Sequence, residues 1–341
     1  MPPKKQAAKP VSLNEEQRAV VDFRRGFACV MAGPGSGKTA ALCARYSALV
    51  REGADPNEIL ALSFTATAAK NLRDRVEEQV GKLSISRTAG SMTFHSLALK
   101  FAQEESANFS FKLAEFPLAT EPVANKLSAE AARRYEIDPR SLRSYVSLQK
   151  RRRVSPKEAV KEAENALKAT DLKLALAYKE YDKRTKSEGL LDFDSLMYEM
   201  VELLSKTKEI RSRWQYEYVL ADEAQDCCLT DWQLLRLMTE EHRSLLCVGD
   251  PGQNIFSFRG SDSRLFLGME DMFPGTKKLF LATNYRSTPE LVEFLKGIGP
   301  CPELAERFHT PNASGPAPEV HAFITASDEA TWVVGKIKEG L

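Results

Sequence analysis

The stretch Phe27–Thr39, FACVMAGPGSGKT, constrains this chain more than any other. A short apolar run feeds a glycine-rich turn, and the turn ends in Gly-Lys-Thr. That order requires a buried strand, a tight loop and then a helix. Gly33, Gly35 and Gly37, with Ser36 between them, let backbone N–H groups turn inward onto phosphate oxygens. The following helix aims its N-terminal dipole at the same point. Lys38 is placed to reach β- and γ-phosphates, and the Thr39 hydroxyl to coordinate Mg2+. Ala32 stands where the strict pattern has glycine. The expected ligand is a nucleoside triphosphate, ATP or GTP.

Later apolar runs end in chemistry-bearing residues. Tyr216–Ala221 is a predicted strand that delivers Asp222 and Glu223. Adjacent carboxylates at a strand end suit a nucleotide hydrolase: the first binds Mg2+, the second takes a proton from the attacking water. Leu245–Gly249 ends at Asp250 and is followed by Gln253, an amide suited to sensing a γ-phosphate. Phe256, Phe258 and Arg259 come next; aromatics stack on bases and arginine holds phosphate, although packing explains the two rings equally well. Lys278–Thr283 leads to Tyr285, able to stack on adenine, and Arg286, able to neutralise transition-state charge. Gln17 opens the chain's first helix, with Ser12 or Asn14 as its cap. Ile59–Phe64 and Ser91–Phe94 are further strands, the second leading into His95. Read alone, Gln17 is a surface glutamine, and Phe64 and His95 have core or capping duty.

Strands that alternate with helices predict an α/β fold with a parallel sheet. Between Ser106 and Gly189 strand signals vanish and Lys, Arg, Glu and Ala dominate, which predicts a helical insertion. Its basic run Lys150–Arg153 reads as a solvated face, or as a hold on a phosphate backbone. The net charge of +1 gives no global preference for nucleic acid, so any basic surface is local. The six cysteines have no metal-ligand spacing, which favours a reduced, cytoplasmic protein. No run is long and apolar enough to suggest a membrane span. The tail MPPKKQAAKP is expected to be disordered, and a short strand (320–324) and a helix (328–338) close the chain.

Taken together, LNEEQ, AGPGSGKT, ILALSFTATAAKNLRDRV, TFHSLA, LDFDSL, VLADEAQD, VGDPGQNIFSFRG and TNYRS resemble superfamily 1 DNA helicases of the UvrD/Rep/PcrA type, across residues 12–290. The resemblance implies a RecA-like P-loop NTPase parallel sheet with a helical insertion domain. Its parts would be a tail (1–11), an ATP-binding domain 1A (12–105 and 190–290), an insertion 1B (106–189) and the start of a truncated second RecA-like domain 2A (291–341). It implies that Gln17 reads adenine, Tyr285 stacks on it, Lys38 and Thr39 serve phosphate and Mg2+, and Asp222 holds the metal. Glu223 would be the base, Gln253 the γ-phosphate sensor and Arg286 an arginine finger. Phe64, Thr65, His95, Phe256, Phe258 and Arg259 would meet single-stranded DNA.

The sequence departs from the family at Ala66, where Asn is usual, at Ala40, where Arg is frequent, and at Phe258, where Trp is usual. The implied function is the ATP-binding region of a 3′-to-5′ DNA helicase or translocase, bacterial or phage-encoded, acting on single-stranded and 3′-tailed duplex DNA. Two alternatives stand beside it. One is an ATP- and single-strand-binding module that does not unwind by itself, completed by a second chain. The other is an ATPase switch whose insertion binds a protein.

Overall fold

In the computed structural model, which describes residues 13–83, 90–167, 169–257 and 260–340, strand β1 (Gly26–Ala32) buries both of its faces. Phe27, Cys29 and Met31 point to one side, and Ala28, Val30 and Ala32 to the other. Strand β2 (Ile59–Ser63) divides in the same way, Leu60 and Leu62 against Ile59 and Ala61. Continuous apolar strands of this kind demand helices on both sides. With β3 (Gly90–Thr93), β4 (Tyr218–Ala221), β5 (Ser244–Gly249) and β6 (Lys277–Leu281) they form a six-stranded sheet in the order β3-β2-β4-β5-β1-β6. Every pairing is parallel. The α/β, RecA-like expectation holds.

One side of the sheet is covered by α1 (Glu15–Asp22), α2 (Lys38–Arg51) and α3 (Ala66–Val80), which contribute Val20, Leu42, Tyr46, Leu72 and Val76. The other is covered by α4 (Phe94–Glu104) and later helices. After α4 the chain leaves the sheet for α5 (Glu121–Arg133), α6 (Pro139–Arg151), α7 (Pro156–Ala166) and α8 (Ala169–Ser187). These four share an apolar cluster of their own, including Leu127, Leu142, Val146, Tyr178 and Tyr181. The chain returns through α9 (Phe193–Lys206), α10 (Lys208–Arg213) and α11 (Leu229–Met238). Short helices α12 (Ser263–Leu267) and α13 (Met269–Met272) precede β6. Then come α14 (Pro289–Ile298), α15 (Pro302–Arg307) and α16 (Ala326–Gly340).

Two expectations fail. Residues 320–324 form no strand; Val320 and Ile324 stay exposed, so the segment has no sheet edge and no core to join. The basic run is not a solvated face either. Lys150, only 2% exposed, lies 3.3 Å from Asp192 Oδ2, donates to Ser195 Oγ, and sits over the Tyr178 and Tyr181 rings. Arg151 pairs with Asp194 at 2.8 Å, and Arg153 with Glu202. Lys150 and Arg151 clamp the last turn of α6 to the start of α9, because the LDFDSL carboxylates meet them there, and Arg153 reaches Glu202 further along α9. Arg152 remains exposed.

All six cysteines are free and buried. Among the described residues no helix is long and apolar enough to cross a membrane. The expected tail lies outside the described residues.

Candidate ATP site and nucleic-acid surface

Parallel strands carry all their carboxyl ends to one rim, and that rim is where open α/β sheets bind ligands. Here it receives the loop after β1, the acidic pair after β4, the turn after β5 and Asn284–Arg286 after β6. Phe64 follows β2. It lies three strand spacings from β1, about 14 Å at ~4.8 Å per step. The rim therefore has a phosphate end and, further along, an aromatic end.

The loop between β1 and α2 is tightly held. Gly35 and Gly37 adopt φ of +69° and +83°, open to glycine at little cost. A Cβ on Gly35 would come within 2.8 Å of Arg286 Cβ, and one on Gly37 within 2.8 Å of the Gln17 amide. Ser36 Oγ donates to Gly33 O at 2.7 Å, and Tyr285 N–H donates to Gly35 O at 3.0 Å. Fully buried Asn284 accepts from the N–H groups of Arg286 and Ser287, both at 2.7 Å, and so fixes the turn that carries Arg286.

Lys38 Nζ lies 3.3 Å from Glu223 Oε2. Glu223 occupies the left-handed region at φ +52°, a conformation costing roughly 1 kcal/mol for a non-glycine residue. Asp222 is 3% exposed. Burial, and then the Glu223 charge, push the Asp222 carboxyl up to about 6 against the pull of Lys38. The same causes push Asp226 up to about 6, and burial raises Asp250. Asp226 Oδ1 is buried without a hydrogen-bond partner.

These hard oxygens, short of positive charge, fit a divalent cation that arrives with phosphate, with Asp222 and the Thr39 hydroxyl in the first turn of α2 as donors. Among the described residues no group of three His, Cys, Asp or Glu side chains forms a cage for a metal ion by itself. A consequence is measurable. Carboxyls raised on folding bind protons more tightly in the native state, so in EDTA their contribution should raise the melting temperature as pH falls from about 7 toward about 4. Asp222→Asn should flatten that slope; an unchanged slope in the variant would show that Asp222 does not carry it.

At the loop's other side, Asn14 caps α1 in a capping box with Gln17. Asn14 Nδ2 donates to Tyr285 Oη at 2.7 Å, and Gln17 Nε2 to Ser36 O at 3.3 Å. Gln17, Tyr285 and the loop thus meet in one place. Sequence reasoning passed over Asn14 beyond its cap, and over Glu16, whose Oε2 accepts from the Ala282 and Thr283 N–H groups and ties α1 to β6. Opposite, Gln253 and Arg286 line a 320 Å3 cavity with Gly33 and Pro34, closed by Phe308.

At the aromatic end, the Phe64 and Phe256 rings stack at 5.9 Å and 15°. Thr65 is exposed and caps α3 through Ala68 N–H at 3.1 Å. His95 meets the edge of Phe193 at 5.4 Å, and Phe193 is 54% exposed. Burial lowers the His95 pKa, partly offset by Asp231 and Asp194. Phe193 was not among the expected site residues; it is the first residue of α9, and the tertiary fold leaves its ring turned outward. His95 and Phe193 open onto a 720 Å3 cleft with Arg140, Arg143 and Arg151. Phe258 and Arg259 lie outside the described residues.

The family model for the UvrD/REP helicase N-terminal domain matches residues 13–274. The chain belongs to that family. Family members similar to it include the ATP-dependent DNA helicase PcrA of Staphylococcus epidermidis, 29% identical over 96% of this chain and 45% of that protein. The PcrA proteins of Leuconostoc citreum and Staphylococcus aureus are each 27% identical, over 96% and 95% of this chain. The chain spans 44–45% of the length of these helicase relatives.

Proposed function

We propose that this chain is the ATP-binding half of a DNA translocase or helicase that hydrolyses ATP as it moves 3′-to-5′ on single-stranded DNA. The observation that carries the reading is the Lys38–Glu223 contact at 3.3 Å, on a rim that also holds the Phe64–Phe256 stack. A phosphate-binding lysine and a candidate base share one point, and a surface suited to bases lies along the same edge.

In this reading Thr39 and Asp222 hold Mg2+, which supplies charge neutralisation to the β- and γ-phosphates. Lys38 pairs with the Glu223 carboxylate at 3.3 Å. When phosphate draws the ammonium away, the freed carboxylate accepts a proton from water. Gln253 reads the γ-phosphate from the far side of the cavity, Arg286 neutralises charge that develops on it, and Gln17 and Tyr285 take the adenine. Phe64, Thr65, His95, Phe256, Phe258 and Arg259 take the strand, joined by Phe193, whose exposed ring can stack on a base.

We assign residues 12–105 and 190–290 to a RecA-like domain 1A, 106–189 to an insertion 1B, and 291–341 to the start of 2A. The separate apolar cluster under α5–α8 supports the insertion. Arg286→Ala is expected to slow hydrolysis by about 10²-fold with little change in ATP affinity, as befits a group aimed at developing charge. Equal losses in kcat and in nucleotide binding would assign Arg286 to ground-state binding instead.

A second reading is favoured by α16, which buries none of its side chains. It is a module that binds ATP and single strands and displaces no strand alone. ATPase stimulated by single-stranded DNA, followed by displacement on a 3′-tailed duplex, separates the two. ATPase without displacement supports the module. Absence of stimulated ATPase removes the motor reading.

A further inference from the structure

We propose that Gln225 is a positioning residue that brackets the candidate base to the nucleic-acid side of the rim, so that occupancy at one end reorients the other. The idea rests on the motor reading above and adds a role to a residue that reading leaves idle.

Gln225 is 1% exposed, and both polar atoms of its side chain are engaged. Nε2 donates to Glu223 Oε2 at 3.0 Å and to Asp226 Oδ2 at 3.3 Å. Oε1 accepts from Asp250 N–H at 2.9 Å, and the backbone carbonyl accepts from Asn254 Nδ2. The amide has no freedom to flip: ionised carboxylates only accept, and the Asp250 N–H only donates. Space is equally restrictive, because a Cβ on Gly249 would come within 2.7 Å of Gln225 Oε1.

One side chain therefore joins the strand end of β4 to the turn after β5. That turn carries the rest of the path. Asp250 accepts from Gln253 Nε2 at 2.6 Å, and Asn254 precedes Phe256, whose ring stacks on Phe64. A strand that displaces Phe256 must move Asn254 or strain its bond to Gln225, and Gln225 holds Glu223 through a short amide. Because Glu223 already sits in a left-handed backbone conformation, its carboxylate depends on such contacts for its aim.

The test compares wild type with Gln225→Met, which keeps length and apolar bulk but makes neither amide bond, and with Asn254→Ala, which cuts the outer end only. Steady-state ATPase is measured across ATP concentrations with and without oligo(dT). In both variants the ratio of stimulated to unstimulated rate should collapse toward one. Gln225→Met should lose about 10–100-fold in stimulated kcat, a cost typical of a misaimed reacting group. Its KM for ATP should stay within about twofold. A wild-type stimulation ratio in Gln225→Met, or a loss confined to KM, overturns the proposal.

If wild type shows no stimulation, the motor reading fails and the bracket is judged by hydrogen exchange. Mg2+ and a non-hydrolysable ATP analogue should then alter protection of residues 250–256 in wild type and leave them unaltered in Gln225→Met. An equal change in both overturns the bracket. If Gln225→Met does not fold, Asn254→Ala decides the question by the same two readouts.

Discussion

Replacing Glu223 with Gln should reduce ATP hydrolysis by about 10²–10⁴-fold, the range expected when a positioned general base is lost, while Mg2+-ATP binding persists. The substitution keeps shape and removes only the charge and the proton affinity. It also removes the ion pair with Lys38 at 3.3 Å, so nucleotide affinity should hold or rise, since the lysine no longer has to leave a carboxylate. Steady-state phosphate release beside equilibrium binding of a fluorescent ATP analogue reads both effects. Retained turnover in Glu223→Gln would remove the base assignment and point to another carboxylate on the rim, Asp226 first, because its Oδ1 has no partner.

Asp192→Ala should be the most damaging change away from the ATP site. It strands the Lys150 ammonium, 2% exposed, with Ser195 as its remaining polar side-chain contact. Burial pushes the Asp192 carboxyl up, yet the Lys150 charge and hydrogen bonds from Ser195 and Tyr181 outweigh it and hold the group below its ordinary value. Breaking a buried pair from one side costs about 3–5 kcal/mol. At ~2–4 °C per kcal/mol this lowers the melting temperature by roughly 10 °C. Adding Lys150→Met to Asp192→Ala should recover much of the loss, because it removes the stranded charge. Full stability of Asp192→Ala would show that the junction between α6 and α9 is held by the apolar contacts alone.

Much of this was legible because local rules and function coincide at the rim. The loop before α2 needs glycine at positive φ and a lysine at the helix start, and both requirements act over a few residues, where sequence order is spatial order. Strands β1, β2, β4 and β5 could be read for a similar reason. Two-sided burial makes them continuous apolar runs, and each run stops where a polar or aromatic group is delivered. The strand expected at 320–324 failed because alternation and β-branched residues suffice for a strand only where a partner edge is within reach.

The sequence alone determined the chemistry on offer: a phosphate loop, an acidic pair, a sensing amide, an arginine and aromatics, each at the end of a run that had to be a strand. Only the tertiary structure decided which of these meet. The order β3-β2-β4-β5-β1-β6 places β4 and β5 between the phosphate loop and Phe64, a placement set by long-range pairing rather than chain order. It brought Glu223 to Lys38 across 185 positions, and Phe256 to Phe64. It also turned Lys150, Arg151 and Arg153 from members of a basic run into a clamp on α9, since whether a charge is solvated or paired depends on the surface folded against it. In Phe27–Thr39 the two contributions can be separated: glycine and lysine at that spacing specify the loop, and Gln17, Asn284 and Arg286, arriving from distant segments, hold it in shape.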